Sequence, residues 1–450
     1  MCYKLSKYEL AGKRGLEYTC EETRNRVLGE TMEKKTTTNP LWTRDFTIIT
    51  AGSVVSMFGN SMAGFAMSLM VLDFTGSTML YAIYLMTFTI PQLIVPIISG
   101  AILDRFSRKK MIYSLDYLTA AIYVLVAVIL GSGHFHFPLF AIFTFIIGCI
   151  NSIYMVAYDS FYPLLITEGN YSKAYSIASV LETMAAFMIP VATFLYNQVG
   201  LAPLMIGNGI CFFIAATLET RIGAEEEYIQ KQKKSAEGDQ LNSVSRVFVD
   251  IKEGFRYLAS EKGLLAIAVY FLFSSLAGGA TNVVALPYFK DSYANGEYIF
   301  MLVMGMSMLG RGVAGSIHYK KKLPTKYKYV IALSVYITIG ILEGTVLYLP
   351  IWLAMTFMFC TGLGGVTSYT IRVSATQSYV PDEKKGRFNG AFQVLSTSGA
   401  LIAELTAGAL SYALGPREIQ LFFNLMCVLA AILIIGGNKK HVEKIYNRDM

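Results

Sequence analysis

The sequence predicts an all-α polytopic membrane protein with twelve transmembrane helices in two pseudo-symmetric six-helix bundles. Three observations carry that prediction. Of the 450 residues, 54% are hydrophobic and only 15% charged, whereas soluble domains carry about a quarter charged residues. Apolar runs of roughly 20 residues, the length that crosses a hydrocarbon core, recur along the chain. A segment at the start of the fifth run returns, at a fixed offset, at the start of the eleventh. Together these features exclude an ordinary cytosolic enzyme, a disordered chain and a disulfide-stapled secreted scaffold.

The runs follow in order. The first, 46–72, and the second, 78–103, are separated by a short loop; the third, 111–132, follows the basic stretch Arg105 to Lys110. The fourth, 137–161, starts after the turn His134-Phe135-His136-Phe137-Pro138, the fifth, 174–197, after Lys173, and the sixth, 201–219, ends at a polar linker, 220–262. Beyond the linker come 263–286, 298–317, 328–348, 351–373, 387–413 and 417–437. Short connections make neighbours of successive helices. The linker therefore divides the chain six and six: an N-terminal tail 1–45, a first bundle 46–219, a second bundle 263–437 and a tail 438–450.

Charge placement fixes the topology. Of 38 basic residues, 34 fall on the side that holds the N-terminus and the linker, Lys290 and Arg417 fall on the other, and Arg311 and Arg372 lie inside runs. The positive-inside rule puts both termini and the linker in the cytoplasm of a cell inner membrane, and an even number of spans requires the termini to share a side. The net charge of +7 is thus a membrane-topology signal rather than a nucleic-acid surface. Residues 1–31 lack the apolar core of a secretory signal, and Met32, preceded by Gly29-Glu30, is a second candidate translation start.

No cofactor or metal is expected. The six cysteines show neither paired nor metal-ligand spacing and read as small packing residues; His134 and His136 read as a solvated turn. No phosphate-cradling loop, nucleophile elbow or paired-carboxylate hydrolase site is present, so an enzyme is not expected.

Shifting the chain by 214 residues aligns 172–196 with 386–410: Val180, Leu181, Thr183 and Ala186 meet Val394, Leu395, Thr397 and Ala400, and Lys173 meets Arg387. The loop between the second and third runs reads Gly100-Ala101-Ile102-Leu103-Asp104-Arg105-Phe106-Ser107-Arg108-Lys109-Lys110. Gly100 permits close helix approach and the basic residues hold the loop at the membrane surface. Asp104 is costly at a membrane boundary unless paired or capping a helix.

This loop resembles motif A of the major facilitator superfamily, G-x-L-x-D-R-x-x-R-[KR]-[KR], in the same place. With the helix number, repeat and linker, the resemblance covers residues 40 to 437. Pro381-Asp382-Glu383-Lys384-Lys385-Gly386-Arg387 and Asp73-Phe74-Thr75-Gly76-Ser77 resemble the macrolide-efflux and siderophore-exporter branch. The resemblance implies a conformational latch of Gly100, Asp104, Arg105, Arg108, Asp116 and Asp159. In it Asp104 caps the eleventh helix near Gly386 to Asn389, and Arg108 pairs with Asp159, with Asp116 as a further partner. The same basic residues also serve topology. Of the family's antiporter signature in the fifth helix, Pro190 is present, while Ala185, Ile189, Thr193 and Phe194 stand at its glycine positions.

Ionisable residues deep in a span are functional candidates. Glu182 lies about 12 Å into the fifth helix at 1.5 Å per residue, and Glu404 and Glu343 lie in the far halves of the eleventh and ninth. A carboxylate in an apolar cavity cycles readily between protonated and ionised forms, which is the chemistry of proton coupling. These three are the candidates, in that order. Asn60, Gln92, Asn151, Asn282 and Gln393 are candidates for the substrate cavity; each equally suits an interhelical hydrogen bond. The expectation is a monomeric secondary transporter in the lipid bilayer, exchanging an amphiphilic small-molecule substrate for protons. A lysophospholipid flippase, or a non-transporting scaffold on the same fold, is the alternative.

Overall fold

The computed structural model describes residues 40–448 apart from 104–105, 134–135, 225–242, 321–322 and most of 168–187. Among the described residues the regular structure is helical, with no strand. The first half holds α1 (Arg44–Thr75), α2 (Thr78–Leu103), α3 (Arg108–Gly131), α4 (Phe137–Phe161), α5 (Met188–Val199, the described end of the fifth run) and α6 (Leu201–Glu219). A linker helix, α7 (Ser243–Ser260), follows. The second half holds α8 (Lys262–Ser292), α9 (Gly296–Lys320), α10 (Lys328–Thr345), α11 (Ile351–Tyr379), α12 (Asp382–Leu410) and α13 (Pro416–Ala430), which continues as a π-turn to Gly436 before the short α14 (Lys439–Tyr446).

Helix boundaries follow local chemistry. Thr43 caps α1 by accepting from the Phe46 amide at 3.2 Å, and Gly76 ends it in the left-handed region at φ 57°. Ser107 caps α3 in the same way, accepting from the Lys110 amide at 3.1 Å. Pro91 and Pro96 lie within α2 and Pro287 within α8; neighbouring helices make such interruptions tolerable in a membrane bundle.

Ten described helical spans are long and apolar enough to cross a bilayer. The two expected spans outside that set have separate reasons. Most of the fifth lies outside the described residues. The eleventh, α12, runs 29 residues but starts with Asp382, Glu383, Lys384 and Lys385 and is rich in Gly, Ala, Ser and Thr. It packs between α8 and α2, where small residues allow close approach and lipid affinity is not required.

The two halves repeat one packing pattern. In the first, α6 lies against α1 and α3, and α2 against α4; in the second, α13 lies against α8 and α10, and α9 against α11. Each pair is the counterpart of the other six spans later. Across the divide, α2 packs along α12.

Buried clusters fill each half. Met67, Met70, Tyr123, Phe140 and Met205 pack in the first. In the second, Tyr270 stacks on Tyr336 with ring centroids 4.3 Å apart, and the Tyr336 and Tyr446 hydroxyls lie 2.7 Å apart, which pins α14 under the bundle. A third cluster joins Ala82 of α2 to Val283, Val284 and Ala403 of the second half. Outside, Val128, Trp352 and Leu433 are 65%, 69% and 69% exposed. So broad an apolar exterior on helices with internally paired backbones is the surface a bilayer covers.

Candidate transport site

Because the helices alternate in direction, the start of α1, the start of α3, the end of α6 and the start of α8 share one face with both described termini. The opposite face carries the ends of α1 and α8. At that opposite face the halves are bound together. Asp73, near the end of α1, pairs with Lys290 of α8 and accepts from the Tyr196 hydroxyl at 2.6 Å. Asn197 donates to Glu297 at 3.1 Å and to the Tyr298 hydroxyl at 3.3 Å. One layer deeper, Phe65 of α1 stacks on Phe300 of α9 at 6.1 Å.

On the terminus side of this closure lies a cavity of about 680 Å³. Asn60 of α1, Gln92 of α2, Asn151 of α4 and Gln393 of α12 all line it, set among Met57, Phe88, Met155 and Phe212. Helical spacing alone could not pick these four; the tertiary arrangement aims them at one space. Asn282 of α8 is exposed and outside that lining. The cavity reaches Asp159, whose side chain is exposed, and runs alongside a second space of about 340 Å³ lined by Thr50, Ser53, Tyr158 and Asp159. Its walls are mostly apolar with a few convergent amides, the pattern of small-molecule sites.

The candidate carboxylates part company. Glu404 of α12 is 4% exposed; Thr89 of α2 donates to its Oε1 at 3.3 Å, and its Oε2 is buried with no hydrogen-bond partner. It therefore sits on the seam between the halves. Glu343 is half-buried within the second half, where its backbone carbonyl accepts from Gln420 at 2.6 Å and the positive charge of Arg311 is near. Glu182 lies outside the described residues.

Of the implied latch, Asp104 and Arg105 lie outside the described residues, and Gly100 is described only as backbone within α2. Arg108 donates from Nη1 to the carbonyl of Ser160 at 3.1 Å, the residue after Asp159. Asp116 has other company: it is 2% exposed, and its carboxyl meets that of Glu219 at the end of α6. About two helical turns of α3 separate it from Arg108 and set it on the α6 side. His136 is exposed, and His134 lies outside the described residues.

Sequence reasoning passed over Glu219, which is the last residue of the sixth run, beside the polar linker, but is 0% exposed. It also passed over the Asp73 and Lys290 pair, because nothing in the linear spacing sets the two opposite each other. Arg372, which the sequence places inside the tenth run, is held over the rings of Phe392, Phe271 and Tyr369 at 4.7, 4.9 and 5.4 Å.

Comparison with known proteins accords with this architecture. Residues 49–404 match the family model of the Major Facilitator Superfamily. The uncharacterized MFS-type transporter YkuC of Bacillus subtilis is 24% identical over 291 residues, 62% of this chain and 66% of that protein, so the chain matches just under two-thirds of its length. Macrolide efflux protein A of Streptococcus pyogenes is 21% identical over 280 residues, 59% of this chain and 67% of that protein. Among solved structures, a D-xylose-proton symporter superposes with a TM-score of 0.68 at 14% identity, covering 91% of this chain and 100% of the other. The POT family transporter PepTSo gives 0.66 at 14%, covering 89% and 99%. With a family match spanning both halves, the chain belongs to the Major Facilitator Superfamily and is a multi-pass membrane protein.

Proposed function

We propose that this transporter expels amphiphilic small molecules by alternating access, in exchange for protons, with both termini cytoplasmic. The observation that carries the reading is the mostly apolar cavity of about 680 Å³, which lies on the terminus side of the Asp73, Asn197 and Phe65 contacts between the halves. In this arrangement a drug-like molecule enters from the cytoplasm or the inner leaflet. The amides of Asn60, Gln92, Asn151 and Gln393 orient its polar end, and Met57, Phe88 and Phe212 accept its apolar body. The likeness to a macrolide efflux protein supports an amphiphilic cargo.

Glu404 supplies the coupling. It stands where α2 and α12 must slide when the halves rock, with one oxygen held by Thr89 across the seam. When protonated, its carboxyl is compatible with the closed apolar seam; when ionised, it favours the state that admits water to it. Proton arrival from one side and departure to the other then bias the rocking motion.

Right-side-out vesicles loaded with a fluorescent amphiphile test this. Efflux is expected to follow an imposed proton gradient and to collapse with a protonophore. Glu404→Gln is expected to lower coupled efflux to the protonophore-treated level while substrate-induced thermal stabilisation persists. Gradient-driven efflux of undiminished rate in that variant would sink the assignment of Glu404, and gradient-driven uptake into the cytoplasmic side would reverse the direction proposed.

A further inference from the structure

Deep in the first half, two acids face each other, and among the described residues no cation pairs with them. Asp116 of α3 is 2% exposed and Glu219 of α6 is 0% exposed. Their carboxyl groups lie within hydrogen-bonding reach of each other. Yet with both ionised, Asp116 Oδ2 and both oxygens of Glu219 are buried without a donor. A carboxylate accepts only, so two of them cannot satisfy one another. One proton changes that: it makes one carboxyl the donor and the other its acceptor.

Among the described residues the surroundings offer no other neutralising group. From α4, Tyr154 and Tyr158 turn their hydroxyls this way, with Asp159 one residue on. On α3, Lys109 donates to the Ile222 carbonyl at 2.8 Å, and the Tyr117 hydroxyl lies 3.0 Å from that of Thr217. Asp45 of α1 accepts from the Gly223 amide at 2.9 Å. Where α1 crosses Glu219 it presents Gly52, and a Cβ there would lie 3.1 Å from Glu219 Oε1. The backbone is thus fitted around that oxygen.

The pair also has a way out. Asp116 lines the 680 Å³ cavity, and Tyr154, which contacts Glu219, lines that cavity as well as its 340 Å³ neighbour. A proton can pass between the pair and cavity water without crossing apolar packing.

We infer that Asp116 and Glu219 form a second proton-binding site inside the first half, separate from Glu404 on the seam, which holds one shared proton while the cavity reaches the terminus face. Loss of that proton leaves two like charges in contact in an apolar setting, so α3 and α6 must part or admit water. The site ties proton release to the packing of α1, α3 and α6, the helices that wall one side of the cavity. A sodium ion is the wrong occupant, since hard cations need about six or more oxygen ligands and, among the described residues, these two carboxyls and the Tyr154 hydroxyl are what converge here.

The proton site itself stands apart from the direction and coupling proposed above; only its role in transport rests on that reading. Infrared spectroscopy of the full chain in lipid vesicles, across a pH series, reads it directly. At neutral pH a neutral-carboxyl band is expected, reduced by the same area in Asp116→Asn, in Glu219→Gln and in the double variant, because the proton is shared. Glu404→Gln should remove a different component. Gly52→Ala keeps both carboxyls but presses on Oε1, so it should shift the band without abolishing it, and it serves if the amide variants do not fold. An unchanged band in both single variants, a double variant that loses twice the area, an unshifted band in Gly52→Ala, or loss of the band when sodium replaces choline would each overturn the inference. Efflux that ignores a proton gradient, with the band still present, would defeat the proposed coupling and leave this site standing.

Discussion

Asp73 takes two partners at once, the Lys290 ammonium from the other half and the Tyr196 hydroxyl from its own. Both charged side chains are partly open to solvent, 23% and 39% exposed, so screening limits the pair to a modest contribution. Exposed pairs contribute about 0.2–1 kcal/mol, which corresponds to a shift of roughly 1.4- to 5-fold between two conformations. Asp73→Asn is accordingly expected to raise the population open to the opposite face by a few-fold without loss of folded protein. Distances between spin labels on that face, measured by pulsed electron resonance, check it; an unchanged distribution would mean that the neutral contacts suffice for closure. Sequence reading found Glu404 because it stands alone in an apolar run. It missed Glu219, since a carboxylate at the edge of a run and the start of a polar linker have the same appearance in one dimension.

Helix α7 changes the meaning of the linker. Residues 220–262 read as a polar connection, but 243–260 form a helix that packs along α12 and also touches α2. Glu253 pairs with Arg387 at 2.7 Å, Lys384 lies 4.7 Å over the Tyr257 ring, and Gly254 meets the backbone of α12. A Cβ at Gly254 would fall 2.2 Å from the Arg387 carbonyl oxygen, which no rotamer change relieves. Gly254→Val is therefore expected to push α7 off its seat. Limited proteolysis should then cut within 243–260 at least several-fold faster than in the parent, whereas equal rates would show that the contact adapts. The pairing Arg387 makes here was not visible in the sequence, where that residue read as part of the family's pattern before the eleventh helix.

For the whole molecule, the six-and-six packing pattern places every cross-half contact described above on α1, α2, α5, α8, α9 or α12. The halves meet along few surfaces and can rock about them. Closing the opposite face permanently should then stop the cycle. Cysteines introduced by Asn197→Cys and Glu297→Cys, whose native side chains touch at 3.1 Å, are expected to abolish efflux when joined by a short thiol cross-linker and to restore it on reduction. Transport that persists in the cross-linked protein would exclude alternating access through that face.

Composition and the spacing of apolar runs determined a great deal alone: a helical membrane protein and the position of most spans. These are properties of single helices in contact with lipid, and lipid selects for hydrophobicity residue by residue. Tertiary structure decided which polar residues share a cavity, that Asp116 meets Glu219, that Glu404 lies on the seam between the halves, and that Asp73 meets Lys290. Each of those depends on the rotation and depth of two helices relative to each other. Packing among many small side chains sets that relation, and a linear pattern does not record it.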